Sequence, residues 1–170
     1  MTLQTVTKDT QVFKKIKYLC IHCTASAFGK ELTADDIRRM HMGPKPAGRG
    51  WKQVGYVDMI HVNGYITNLV PYDNNEYMEP REITNGVAGK NSEMRSFSYV
   101  GGIDKNGKPM DTRSDKQKEV MAAYIFQMIA VHPDILICGH NQWAAKACPS
   151  FDTVNWLRSI RVPEKNIFKK

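Results

Sequence analysis

A histidine, a lysine and a cysteine that could carry out metal-dependent chemistry lie close together near the C-terminal end of the chain. The stretch CGHNQWAAKACPSFD, residues 138–152, contains His140, Lys146 and Cys148. Thiolate and imidazole are both good zinc ligands. Two ligands are too few for a zinc site, and the best candidate for a third is His22, at the end of an apolar segment. Three protein ligands leave one position for water, which is the pattern of a catalytic zinc.

The spacing of these residues does not by itself identify a metal site. Seven residues separate His140 from Cys148, a spacing that matches no short zinc motif. A histidine at a strand end is often a hydrogen-bonded structural residue, so that alternative stays open for His22 and His140. The remaining histidines are predicted to be structural or surface residues: His41, His61 and His132.

A C-x-x-C pair, Cys20 and Cys23, has three alternative explanations: a redox centre, a zinc site or simple packing. The surrounding segment IKYLCIHCT is apolar, β-branched and aromatic, which predicts a buried strand at residues 16–24. Side chains three positions apart in a strand point to opposite faces. One metal or one disulfide would not easily take both thiols, so we interpret both as packing residues, with Cys20 and His22 on one face.

Length, composition and charge indicate an ordinary globular protein. The 170 residues are 42% hydrophobic and 24% charged, which predicts one domain with its own core. A net charge of +7 fits either a basic soluble protein or attraction to a polyanion, such as nucleic acid or an anionic cell wall. The chain contains no RNP, zinc-finger or basic-zipper motif, which argues against a dedicated nucleic-acid-binding module.

We expect neither a membrane span nor a signal peptide. No apolar run approaches the roughly 18 residues of a membrane span, and the first 25 residues lack the apolar region of a signal peptide. Four cysteines in such a chain do not predict a disulfide framework. We expect residues 1–14, which are polar, to form a loose arm or an edge element.

Hydrophobic periodicity and turn signals predict an α/β fold, with helices packed on one sheet. We predict that Thr33 caps a short helix that buries Ile37 and Met40, and that a hairpin turns at Asn63-Gly64 in a type I′ turn. The predicted strands are 16–24, 55–62, 65–70, 95–103 and 134–139. The predicted helices are 33–41, 114–131 and 153–159.

Four stretches of the chain resemble the type-two N-acetylmuramoyl-L-alanine amidase family. They are YLCIHCTAS (18–26), IRRMH…GWKQVGY (37–56), SYVGGIDKNGK (98–108) and HNQWAAKACPSFD (140–152), in the family's order. The family includes the small phage "lysozymes" that are zinc amidases, and the peptidoglycan recognition proteins. The resemblance implies a single domain over residues 1–170, with a central mixed β-sheet flanked by helices.

The resemblance also implies roles for individual residues. His22, His140 and Cys148 would bind one Zn²⁺, and Tyr56 and Lys146 would be catalytic. The implied reaction is hydrolysis of the amide that joins N-acetylmuramic acid to L-alanine in peptidoglycan. Two alternatives stay open: a peptidoglycan-binding protein without catalysis, and an amidase with an added role as an inhibitor of RNA polymerase. We expect a phage or prophage protein that is made in the cytoplasm and reaches the wall through a holin or a secretion system.

Two segments depart from the family pattern. Val57 and Asp58 follow Tyr56, where the family usually has His and Phe. The segment TNGVAGKNSEMRS matches the family's HAxGxNxxSIG segment at Gly89 and Asn91 but lacks the leading His. That segment lines the substrate groove in the family, so we expect the divergence to affect substrate recognition and not the metal.

Overall fold

The structure is a computed structural model that describes residues 13–170. Within them, three α-helices alternate with nine short strands. The strands are β1 (Lys14–Lys15), β2 (Tyr18–Cys23), β3 (Ser26–Ala27), β4 (Asp58–Ile60), β5 (Ile66–Asn68), β6 (Tyr77–Met78), β7 (Met94–Tyr99), β8 (Gly102–Ile103) and β9 (Leu136–Gly139). The helices are α1 (Ala34–Met42), α2 (Asp115–Val131) and α3 (Thr153–Ser159), and short 3₁₀ turns cover Pro80–Glu82, Asn91–Glu93, His140–Gln142 and Glu164–Asn166.

Five strands form the central sheet, in the order β5-β4-β7-β2-β9. The four strands β4, β7, β2 and β9 run parallel, and only β5 is antiparallel to its neighbour. A parallel sheet is normally covered on both faces, and here every residue of β2 except Tyr18 is buried. The predicted α/β fold with a central mixed sheet and flanking helices is therefore confirmed.

The two faces of the sheet bury different sets of side chains. Leu19, Ile21 and Cys23 of β2 belong to the main core cluster, which also contains α2 and α3 residues, namely Met121, Tyr124, Ile125, Met128 and Leu157. Cys20 points to the opposite face, where it packs with Val87, Met94 and Cys138. His22 shares that second face by the alternation of the strand.

The capping boxes predicted from the sequence are present at α1 and α2. In α1, Thr33 accepts a hydrogen bond from the backbone of Asp36, whose carboxylate accepts one from Thr33 in return. The expected burial of Ile37 is confirmed, but that of Met40 is wrong, since Met40 is 41% exposed. The second inward residue is instead His41, which lies four positions after Ile37 and hence on the same helix face.

The hairpin of β4 and β5 forms where it was predicted, but its turn is of another kind. A type I′ turn needs positive φ at both central residues. Gly64 has a φ of 85°, whereas Asn63 is not in the left-handed region. Two backbone hydrogen bonds close the loop. The N–H of His61 donates to the carbonyl oxygen of Tyr65 at 2.8 Å, and the N–H of Gly64 donates to the carbonyl oxygen of His61 at 2.8 Å. It is a three-residue loop with glycine in the left-handed position.

The N-terminal arm expected at residues 1–14 lies mostly outside the described residues. Its last residue, Lys14, pairs with Met78 in the short antiparallel β1–β6 ribbon. In the described part of the chain, no helix is both long and apolar enough to cross a bilayer.

Candidate metal centre

Three predicted ligands come together where β2 and β9 end. The two strands are parallel neighbours with Ile21 opposite Gly139, so the residues that follow, His22 and His140, emerge side by side, with ring centroids 4.6 Å apart. The loop after His140 returns to the same place, and Cys148 Sγ lies 3.7 Å from His22 Nδ1. One ligand atom from each of these three residues lies within 4.8 Å of the other two.

The donor set and its surroundings fit a zinc ion. Tetrahedral zinc with nitrogen and sulfur ligands separates neighbouring ligand atoms by about 3.3–3.6 Å, close to the separation of His22 Nδ1 and Cys148 Sγ. An imidazole binds an ion through one nitrogen, and among the described residues the buried Nε2 of His22 has no hydrogen-bond partner, which leaves this second nitrogen to be satisfied by water. The backbone N–H of Cys23 points at Cys148 Sγ from 3.3 Å and can stabilise a thiolate.

The protonation states suit metal binding. Burial, then the neighbouring charges of His140 and Lys146, lower the pKa of His22 well below its ordinary value. Burial, then Lys146, lower the pKa of His140 to about 4. Both imidazoles are therefore neutral at pH 7, the form that binds a metal. A hydrogen bond with Cys23, followed by burial, raises the pKa of the Cys148 thiol, whereas coordination to Zn²⁺ deprotonates a thiol outright.

Lys146 lies in the loop between two of the predicted ligands, and its side chain is exposed. Its positive charge lowers the pKa of His22, of His140 and of Cys148. The ammonium group is thus near enough to act electrostatically on the whole cluster.

Tyr56 lies two residues before β4 and packs against the cluster. Its ring centroid is 5.2 Å from that of His22, and the side chain is half-buried. Burial, followed by the sulfur groups of Cys148 and Cys23, raises the pKa of the phenol. The hydroxyl therefore keeps its proton at neutral pH and acts as a hydrogen-bond donor.

His41, which the sequence predicted to be a structural or surface residue, packs against Tyr56. Its ring centroid is 5.1 Å from the rings of both Tyr56 and Trp51. Its Nδ1 accepts a hydrogen bond from the backbone N–H of Gly55 at 3.1 Å. The available signal was the helical spacing, which places His41 on the same face as Ile37.

The departure from the family pattern at Asp58 does not alter the candidate metal centre. Asp58 points to the face covered by α2, where its carboxylate accepts hydrogen bonds from the hydroxyls of Tyr72 and Tyr124, both at 2.7 Å. The side-chain amide of Asn68 donates a third, at 2.8 Å. The buried carboxylate is thus satisfied within the core.

The missing histidine of the second segment has a steric explanation. If Gly89 and Asn91 keep their matches, the family's leading His falls on Gly86. A Cβ at Gly86 would lie 2.3 Å from Ser96 Oγ and 2.9 Å from the carbonyl oxygen of Gly55. The backbone here packs directly on the chain that leads to Tyr56, so a side chain has no room. Asn91 has a local role, since its side chain accepts a hydrogen bond from the backbone of Val87 at 2.8 Å.

Cys20 and Cys23 point to opposite faces, as predicted. Cys20 is fully buried in an apolar cluster, as expected for a packing residue. Cys23 is also buried, but it touches the ligand loop, with its Sγ 3.7 Å from Ser150 Oγ and its backbone N–H directed at Cys148. No local sequence pattern indicates this contact, because Cys148 is 125 positions away.

Known proteins resemble the chain in sequence. No family model matches it. The endolysin of Enterobacteria phage K11 is 27% identical over 139 residues, which cover 82% of this chain and 83% of that protein. The endolysin of Escherichia phage T7 is 25% identical over 136 residues, covering 80% and 82%. An uncharacterized protein of Haemophilus influenzae is 31% identical over 96 residues, covering 48% of this chain and 82% of that protein.

Solved structures share the fold at lower sequence identity. The Ph2119 endolysin from a Thermus scotoductus bacteriophage has a TM-score of 0.65 at 18% identity and covers 91% of this chain and 87% of that one. The N-acetylmuramoyl-L-alanine amidase LysC from Clostridium intestinale has a TM-score of 0.65 at 16% identity, covering 87% of each chain. A complex of tracheal cytotoxin with the ectodomains of peptidoglycan recognition proteins LCa and LCx gives 0.62 at 17% identity, covering 90% and 88%.

Proposed function

We propose that the chain, which is similar in sequence to phage endolysins and shares the fold of amidases and peptidoglycan recognition proteins, is a zinc-dependent N-acetylmuramoyl-L-alanine amidase. Its substrate is then the amide between the lactyl group of N-acetylmuramic acid and L-alanine in peptidoglycan. The observation that supports this most is the convergence of His22, His140 and Cys148 within 4.8 Å. A thiolate and two neutral imidazoles are a donor set that zinc favours.

The three side chains would hold the ion and leave one position free. Bound Zn²⁺ supplies a nucleophile by lowering the pKa of a water molecule to about 7, and it polarises the scissile carbonyl. His22 and His140 contribute no charge because both are neutral at pH 7. Cys148 contributes one negative charge, which makes the site less positive than three histidines would.

Lys146 compensates for the charge of the thiolate. As the amide carbon is attacked, negative charge develops on its oxygen, and a positioned donor there stabilises the transition state. We infer that the exposed ammonium of Lys146, whose charge acts on all three ligands, is the donor that stabilises this oxygen. Removal of one such donor typically lowers the rate about 10²–10³-fold.

Tyr56 acts as a neutral hydrogen-bond donor beside the cluster. Because burial raises the pKa of its phenol, the hydroxyl holds its proton and can orient the nucleophile or the substrate carbonyl. This raised pKa favours orientation over full transfer of the proton to the leaving nitrogen. The rings of His22 and His41 fix the phenol from two sides.

A second candidate function is peptidoglycan binding without cleavage. The related solved complex of peptidoglycan recognition proteins contains tracheal cytotoxin as its bound molecule. The presence of Cys148 favours the enzyme, because it completes the set of three ligands. An added role as an RNA polymerase inhibitor stays a prediction, as do synthesis in the cytoplasm and passage to the wall through a holin or a secretion system.

Mass spectrometry of digested muropeptides tests the proposal. We expect purified protein to release free peptides that start with L-alanine from intact glycan strands, and a chelator to stop the release until zinc is restored. Cys148→Ser should lose both zinc and activity, whereas Cys20→Ser, the same change at a cysteine outside the cluster, should keep both. Cleavage of a sugar linkage, or full activity of Cys148→Ser without zinc, would refute this mechanism.

A further inference from the structure

The free cysteines of the described residues form two neighbouring pairs, Cys20 with Cys138 and Cys23 with Cys148. The second pair includes a predicted zinc ligand, Cys148. Cys148 Sγ lies 3.3 Å from the backbone nitrogen of Cys23 and 3.9 Å from its carbonyl oxygen. The thiol of Cys23 faces the same loop, since its Sγ lies 3.7 Å from Ser150 Oγ, two positions after Cys148. The sulfur of Cys148 therefore contacts Cys23, whose thiol could form a disulfide bond with it.

The second pair differs in its access to solvent. Cys20 and Cys138 are register partners on β2 and β9, and both have 0% of their surface exposed. The indole N–H of Trp143 covers Cys138 by donating to its sulfur at 3.1 Å. Cys148, by contrast, is only partly buried, while its neighbour Cys23 is 4% exposed. An oxidant in solution can reach only the pair that contains Cys148.

We propose that Cys23 and Cys148 form an oxidative modification site, in which a disulfide replaces the thiolate that the metal needs. The accessible Cys148 reacts first through the fraction of its thiol that is ionised, because the thiolate is the nucleophile, and the buried thiol of Cys23 resolves the product. A disulfide needs Cβ atoms about 3.5–4.5 Å apart, and the contacts of Cys148 Sγ with the backbone of Cys23 already bring the two residues together. The consequence for activity rests on the proposed function; the disulfide itself does not.

Hydrogen peroxide is the oxidant that we consider, and the reaction balances in two steps. The sulfur of Cys148 attacks one peroxide oxygen, the O–O bond breaks, and sulfenic acid and one water molecule form. The sulfur of Cys23 then attacks the sulfur of Cys148, the S–O bond breaks, and a second water molecule leaves with the thiol proton. Two thiols and one peroxide give one disulfide and two water molecules.

Metal and disulfide exclude each other because both require the same sulfur. A coordinated thiolate would share its electron pair with the ion and would be a weaker nucleophile toward an oxidant. A disulfide sulfur is no longer a thiolate and is lost as a ligand. Zinc should therefore protect the pair from oxidation, and oxidation should prevent zinc from binding. In an oxidising compartment, zinc binding and disulfide formation would compete for the sulfur of Cys148.

Tryptic peptide mapping under non-reducing conditions tests the proposal on zinc-loaded and chelator-treated protein exposed to hydrogen peroxide. Trypsin places Cys148 in the peptide 147–158 and Cys138 in 119–146, while Cys20 and Cys23 share 18–30. We expect 18–30 linked to 147–158 in chelator-treated protein, at least tenfold less of it in zinc-loaded protein, and its loss on treatment with dithiothreitol. A link from 18–30 to 119–146, or equal oxidation with and without zinc, would overturn the proposal.

Because Cys20 and Cys23 share peptide 18–30, matched variants are needed to show which of them is linked to Cys148. The link should persist in Cys20→Ser and disappear in both Cys23→Ser and Cys23→Ala, with thermal melting showing that each variant is folded. Persistence of the link in folded Cys23→Ala would overturn the assignment. The peptide map does not depend on catalysis. A link in a protein that leaves muropeptides intact would count against the proposed amidase alone, whereas an active zinc enzyme with no link would count against the disulfide alone.

Discussion

The imidazole of His41 packs edge-on against the phenol of Tyr56, with ring centroids 5.1 Å apart and planes at 70°. The Nδ1 of the same ring accepts the backbone N–H of Gly55, the residue just before Tyr56. His41 thus holds both the backbone and the side chain of the proposed active-site tyrosine. It lies on α1, so this helix links the position of Tyr56 to the rest of the fold.

Replacement of His41 should slow the reaction without loss of zinc. We expect His41→Phe to lower kcat about 10–100-fold, because it keeps an aromatic ring but loses the acceptor for Gly55 and lets Tyr56 shift. His41→Asn should restore part of the rate, since its Oδ1 can take the place of Nδ1. Steady-state kinetics and zinc analysis of both variants check this. Equal kcat in all three proteins would show that His41 does not position Tyr56.

The same residue predicts how stability depends on pH. Burial, then the charge of Arg49, lower the pKa of His41 to about 4, below the ordinary value of about 6.5. The unfolded chain therefore binds more protons than the folded one between these values. Stability is full above about pH 6.5 and is lost as the pH falls toward 4, by up to about 3 kcal/mol for this group.

Urea denaturation at several pH values between neutral and about 4.5 measures this effect. The difference in unfolding free energy between wild type and His41→Phe isolates the contribution of His41, because His22 and His140 are present in both. We expect the two proteins to converge in stability as the pH falls. Parallel curves would mean that His41 does not titrate as its burial requires.

Lys146 should affect turnover and not the metal. Lys146→Ala is expected to lower kcat by about 10²–10³-fold, the usual effect of losing one oxyanion donor, while zinc content stays at one ion per chain. Lys105→Ala is a suitable control, because Lys105 is also exposed but lies in the turn after β8, outside the loop that carries Cys148. If the two variants have the same activity, the ammonium of Lys146 does not act in the reaction.

Zinc binding should release about one proton per ion near neutral pH. Both histidine ligands are already neutral there, whereas the pKa of the Cys148 thiol is raised, so the thiol is the group that must lose a proton. The affinity should then increase about tenfold for each unit of rising pH. Calorimetry in buffers of different ionisation enthalpy counts the protons. In Cys148→Ser any residual binding should release fewer, and zero release in the wild type would contradict the assignment.

Much of the local structure could be predicted because local rules decide it. The capping boxes at Thr33 and Ser114 depend on residues three positions apart. The buried character of β2 follows from its run of β-branched and apolar residues. The burial of Met40 was predicted wrongly because a nine-residue helix presents only a narrow stripe to the core, and contacts with other elements decide which residues occupy it.

The sequence by itself determined the α/β fold, the helix caps and, through its family resemblance, the candidate residues His22, His140, Cys148, Tyr56 and Lys146. Only the tertiary structure decided that the first three converge, that His41 supports Tyr56, and that Cys23 rather than Cys20 meets Cys148. The physical reason is distance along the chain. Periodicity and capping act over a few residues, whereas the parallel pairing of β2 with β9 joins segments more than a hundred positions apart, and no local pattern encodes which side chains meet there.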